Sequence, residues 1–210
     1  MSNQVANIAD RIMVRVRAHG VGRWVCTPKD FLDLGSRAAV DQALSRLTKA
    51  GQLRRVARGL YDLPRFNAVM KRSAPPDLDS AIQAVSRRDD IRLMPDGIVA
   101  AHQLGLTNAV PAKVAYVTDG RSRTVKIAGW TVRLRHASPK LMRWADRPAA
   151  SAVQALLWLG PRAANDPQTI TTLRKQLPDA AKRDLSKQVG ALPGWAIPIA
   201  KKFIEPEVTA

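Results

Sequence analysis

The chain has 210 residues, enough to bury a core, with an ordinary hydrophobic share of 46% but a net charge of +17. A charge of that size resists compaction unless a polyanion neutralises it, which points to nucleic acid first and to an acidic protein or membrane surface next. Glutamate occurs only at Glu205 and Glu207 and cysteine only at Cys26, so the body of the chain lacks a Glu general base or Glu metal ligand, an internal disulfide is excluded, and a reducing cytoplasm is the expected location.

Along the chain, Val5, Ile8, Ile12 and Val16 recur at helical spacing and predict a first helix over Asn3–His19, ended by Gly20. Trp24 and Val25 favour a short strand over Arg23–Cys26. Thr27-Pro28-Lys29-Asp30 then reads as the start of a short helix: a capping hydroxyl, proline at the first position and an acid at the third. Leu34-Gly35 closes that helix, and Ser36 caps another that runs to about Ala50 and stops at Gly51. The runs Leu53–Val56 and Leu60–Leu63 flank Ala57-Arg58-Gly59 as a hairpin.

The order helix, strand, short helix, capped helix, hairpin predicts a winged helix-turn-helix over residues 1–65, which would bind double-stranded DNA. On the capped helix, Val40, Ala43, Leu44 and Leu47 fall on one side and Gln42, Ser45, Arg46 and Lys49 on the other. Gln42 and Arg46 are the candidate base readers, since Gln pairs bidentately with adenine and Arg with guanine. Ser36 and Lys49 suit phosphates, Arg37 joins the DNA-binding set from the first turn, and the hairpin adds Arg54, Arg55 and Arg58.

Residues 66–76 read as a proline-punctuated linker with a short helix near Phe66–Met70. Residues 77–210 form the expected second domain, giving an α+β fold that ends in helices. Its predicted elements are helices at Asp79–Arg87 and Gly97–Leu104, a strand at Lys113–Thr118, and a hairpin pairing Thr124–Ile127 with Trp130–Arg135. Four helical segments follow, at Ala149–Leu159, Asp166–Leu177, Ala180–Val189 and Ile197–Phe203. In the hairpin, Trp130, Val132 and Leu134 alternate with Thr131, Arg133 and Arg135, so period two should put an apolar set on one face and a basic set on the other. With Arg121, Arg123 and Lys126 this predicts a second, phosphate-tracking surface.

Catalysis is not expected. Asp96, Asp119 and Lys126 lack the spacing of a nuclease metal site, and His19, His102, His136 and Cys26 are scattered without metal-ligand spacing. Cys26 precedes a helix start, which could lower its pKa, but a small core residue is the commoner explanation. There is no phosphate-binding or dinucleotide-binding glycine motif, so neither cofactor nor metal is expected. No apolar run is long enough to span a bilayer, and no signal peptide is apparent.

The run from Ala50-Gly51-Gln52-Leu53-Arg54-Arg55 through Gly59-Leu60-Tyr61-Asp62-Leu63-Pro64 resembles the wing of the AbiEi-type antitoxins, the antitoxin halves of type IV bacterial toxin–antitoxin pairs. Met94-Pro95-Asp96-Gly97, the stretch Ala101–Thr107, and Tyr116-Val117-Thr118-Asp119-Gly120 with its basic hairpin resemble the second domain of that family. Together they cover about residues 15–140, and Ala149–Ala210 matches least. The resemblance implies a winged helix that binds promoter inverted repeats and represses its own operon. It also implies a second domain that counters a nucleotidyltransferase-like toxin. A stand-alone winged-helix regulator, its second domain serving dimerisation or ligand binding, is the alternative expectation.

Overall fold

The computed structural model describes residues 7–69, 71–109, 114–127 and 129–205. The fold is α+β, and the chain divides into two compact units, Met1–Ile91 with Lys126–Trp130 and Arg92–Val125 with Thr131–Ala210.

In the first unit, helix α1 (Ile8–Ala18) buries Ile12, Met13 and Val16, and the Asn7 side chain accepts the Asp10 N–H at 3.0 Å to cap it. Val5, expected on the same stripe, lies outside the described residues. After strand β1 (Val25–Cys26), the predicted short helix is a 3-10 helix, Pro28–Phe31, which ends before Leu34. The Asp30 carboxylate accepts the Thr27 N–H at 2.8 Å, and the Leu34 N–H closes on the Phe31 carbonyl at 2.9 Å, so the chain turns before an α-helical ladder can extend. Helix α2 (Arg37–Lys49) starts at Ser36, whose hydroxyl accepts the Ala39 N–H at 3.3 Å. The inward side of α2, with Val40, Ala43, Leu44 and Leu47, is buried as its periodicity requires.

Strands β2 (Arg54–Ala57) and β3 (Leu60–Asp62) complete an antiparallel three-stranded sheet of order β1-β3-β2. Residues 66–76 are not a plain linker and hold no helix near Phe66: short strands β4 (Phe66–Asn67) and β5 (Arg72–Ser73) pair antiparallel there. Met70 lies outside the described residues. Helix α3 (Leu78–Asp89) then packs against β1, β3 and the 3-10 turn. The first compact unit runs on to Ile91. The reason is long-range bonding: the Ser80 hydroxyl accepts the Val25 N–H at 2.7 Å, and the Arg87 guanidinium bonds both the Val25 carbonyl (2.8 Å) and Asp30 (3.0 Å).

The second unit holds most of a four-stranded sheet of order β6-β7-β9-β8: β6 (Leu93–Pro95), β7 (Val114–Thr118), β8 (Arg123–Ile127) and β9 (Trp130–His136). β6 and β7 are antiparallel and β7 and β9 parallel. Met94 and Val117 join the buried core made with helix α4 (Gly97–Gln103), the short α5 (Pro139–Met142), α6 (Ala150–Ala164), α7 (Pro167–Gln176), α8 (Asp179–Lys187) and α9 (Ala196–Ile204). α6 breaks at Gly160, where φ is +70°, followed by Pro161. α4 and α6 approach so closely that a Cβ on Gly97 would stand 2.4 Å from Trp158 Cβ. None of the helices among the described residues is long and apolar enough to cross a membrane.

Candidate nucleic-acid interface

Several acids of the first unit are held by framework cations. Asp33 takes two hydrogen bonds from Arg15 (2.8 and 2.6 Å), Asp30 pairs with Arg87, and Asp90 with Lys29. Asp89 pairs with Arg88 at 2.7 Å. The Arg15 hydrogen bond holds the Asp33 carboxyl below its ordinary range. Gln42, Ser45, Arg46 and Lys49, by contrast, lie exposed on the outward side of α2, and among the described residues their side chains make no hydrogen bond or ion pair. Arg37 is exposed too but joins Asp41 at 2.9 Å across one helical turn. An exposed pair of that kind is worth only a few tenths of a kcal/mol, about 0.3–0.5, and yields readily to a phosphate. Ser36 is exposed, and its hydroxyl is occupied by the helix cap.

The β2–β3 hairpin sorts its three arginines. Arg55 and Arg58 are exposed, and among the described residues neither side chain has a partner. Arg54, expected to face DNA, turns inward: Nε and Nη2 grip the carboxylate of Asp62 at 2.9 and 2.5 Å, and Nη1 donates to the Ala74 carbonyl at 2.8 Å. Asp62 is only 1% exposed, and a carboxylate that dry demands a cation. Ladder alternation could have flagged this, since Arg54 and Arg55 face opposite sides of the strand, but the identity of the buried acid could not be read from spacing.

The hairpin tip is braced from a distance. Gly59 takes φ +70°, a conformation that suits glycine, and the register slips between Arg55 and Ala57 as in a β-bulge. Arg88 on α3 donates to the Arg58 carbonyl at 2.7 Å, while its other nitrogens hold Asp89. A Cβ at Gly59 would stand 3.3 Å from Arg88 Cδ. Sequence reading missed Arg88, because nothing local to Arg87-Arg88-Asp89-Asp90 announces a partner 30 residues upstream.

In the second unit, the alternation of β9 holds for Val132 and Leu134, which are buried, and for Thr131, Arg133 and Arg135, which are exposed. Trp130, expected on the apolar face, is 43% exposed at the strand's start. Arg121, Lys126 and Arg133 are exposed, Arg123 is half-buried, and Arg135 donates to Asp96 at 3.1 Å, which removes it from an uncommitted set. Asp96 also accepts the Gly97 N–H at 2.8 Å at the start of α4, the capping role its sequence position suggests.

The cysteine and two of the histidines lie apart from these arginines in the sequence of elements. Cys26 is buried, its Sγ donates to the Tyr61 carbonyl at 3.3 Å, and burial pushes its pKa up to about 12, away from reactivity. His19 stacks on Trp24 with ring centres 3.9 Å apart, and exposed His102 lies on α4. Among the described residues no three His, Cys, Asp or Glu side chains cluster as metal ligands would.

A family model described as a family of unknown function (DUF6088) matches residues 11–185. Comparison with curated proteins gives no match. Among solved structures, the crystal structure of RV2827C protein from Mycobacterium tuberculosis is similar, with 19% sequence identity and a TM-score of 0.42 over 97% of this chain and 78% of that one.

Proposed function

The chain belongs to DUF6088, a family of unknown function, and from that premise we propose that its first unit is a winged helix-turn-helix that binds double-stranded DNA with sequence preference. The observation that carries the reading is the outward face of α2. Gln42, Arg46 and Lys49 stand there exposed and, among the described residues, without partners, in a unit whose Asp30, Asp33, Asp62, Asp89 and Asp90 are all paired with framework cations. A helix with that face fits the major groove, where Gln42 and Arg46 read base edges and Lys49 positions the backbone. The β2–β3 hairpin serves as the wing, with Arg55 and Arg58 on phosphates. Arg121, Lys126 and Arg133, on and beside β8 and β9, add a phosphate-tracking surface.

The likeness of residues 15–140 to AbiEi-type antitoxins supports a fuller reading. The protein is the antitoxin and transcriptional autorepressor of a type IV toxin–antitoxin operon, its site an inverted repeat in its own promoter. The first test is a gel shift with the fragment upstream of the gene. Arg46→Ala reduces the preference for that fragment over a scrambled duplex, and Arg58→Ala weakens both alike. If neither change alters binding, the assignment of α2 and the wing is wrong. Growth rescue on co-expression with an adjacent nucleotidyltransferase-like toxin tests the antitoxin role. Operator binding without rescue leaves a stand-alone regulator.

A further inference from the structure

Helix α1 does more than back the core. A Cβ on Gly35 would stand 2.7 Å from Ile8 Cδ1, so glycine at this turn lets the start of α1 lie directly against the start of α2. Beside that contact runs a groove of about 600 Å³, with Ile8 and Arg11 on its α1 side and Ala39, Gln42 and Arg46 on its α2 side. No acid lines it. Arg11 is exposed and, like Arg46, forms no ion pair among the described residues. The acid that feels the charge of Arg11, Asp33, is already held by two hydrogen bonds from Arg15.

We propose that this groove seats one sugar–phosphate strand of the DNA, with Arg11 on α1 as a phosphate-binding residue opposite Arg46. The proposal rests on the DNA-binding reading and adds a contact outside the helix-turn-helix and wing. Three features favour this occupant. Two unpaired guanidiniums face a channel with no carboxylate in it, which is the charge pattern a polyanion requires. The floor is made of small and apolar groups such as Ala39, which allow close approach of a backbone. The groove is also continuous with the base-reading face, because Gln42 and Arg46 belong to both. A strand lying there would run along the flank of α2 while α2 reads the adjoining major groove.

The test uses the full chain and compares Arg11→Ala, Arg11→Lys and Arg17→Ala on the upstream fragment and on a scrambled duplex across a salt series. Arg17 is an exposed cation of the same helix that does not line the groove, so it controls for loss of net charge. Arg11→Ala should weaken binding roughly five- to tenfold on both duplexes and make the log–log salt dependence shallower by about 0.9. Arg11→Lys should recover most of the affinity, and Arg17→Ala should change little. Equal effects from Arg11→Ala and Arg17→Ala, or wild-type affinity in Arg11→Ala, overturn the proposal while leaving DNA binding intact. A wild-type protein that binds no duplex overturns the DNA-binding reading itself, and this one with it. If sedimentation shows Arg11→Ala changing the oligomeric state instead, the groove belongs to a second copy of the chain and the proposal also fails.

Discussion

Arg54 and Arg58 lie on one hairpin and face different surroundings. Arg54 neutralises Asp62, a carboxylate that folding has removed from water. Removing the cation leaves that charge buried and uncompensated, so Arg54→Ala should cost about 3 kcal/mol of stability, seen as a lower denaturant midpoint. Any loss of DNA binding in that variant should follow from unfolding and disappear where the protein is still folded. Arg58 lends its backbone carbonyl to Arg88, and among the described residues its side chain has no partner. Arg58→Ala should therefore leave the denaturant midpoint within about 0.5 kcal/mol of wild type and act on DNA affinity alone. If the two variants behave alike in both measurements, the inward and outward assignments of these arginines are wrong.

At the level of elements, α2 could be read from its sequence almost completely. Ser36, the apolar stripe and Gly51 are local signals, and each corresponds to a cap, a buried face or an end in the structure. Ser36→Ala should remove the cap and cost about 1 kcal/mol, measurable by thermal melting. The hairpin was legible as a hairpin, but its support was not. Arg88 reaches it from α3, an element that sequence reading assigned to the other domain, because proline-rich residues 64–76 look like a boundary while the bonds of Ser80, Arg87 and Arg88 span 30 to 62 residues. Periodicity and capping rules act over a few turns and cannot register such pairs. Arg88→Ala frees the tip of the β2–β3 hairpin, the proposed wing. The expected outcome is weaker binding to specific and scrambled duplexes alike, by about two- to fivefold, with helical content by circular dichroism unchanged. A change confined to the specific duplex would place Arg88 among the base readers instead.

For the molecule as a whole, the distribution of acids decides both solubility and response to conditions. If about five cations of the first unit meet phosphates, log affinity should fall against log salt with a slope of roughly −4 to −5. The second unit carries its own acid sensitivity. Asp184 on α8 accepts hydrogen bonds from the Arg147 guanidinium and, at 3.3 Å, from the Ala149 N–H beside the start of α6. The Arg147 hydrogen bond lowers the Asp184 pKa from its ordinary 3.8. A carboxyl with a lowered native pKa stabilises the fold above about pH 4, and that contribution is lost as pH falls through the native value. Asp184→Asn should thus lower the melting temperature at pH 7 and narrow its difference from wild type at pH 3, as calorimetry would show. The burial of Cys26 has a practical side as well. With the chain's single thiol sealed in the core and held protonated, the native protein offers a silent background to maleimide chemistry. A lone reporter cysteine placed by R58C or R11C could then take a fluorophore or a cross-linker without first deleting a native residue, so that wing and groove can each be watched as duplex is added.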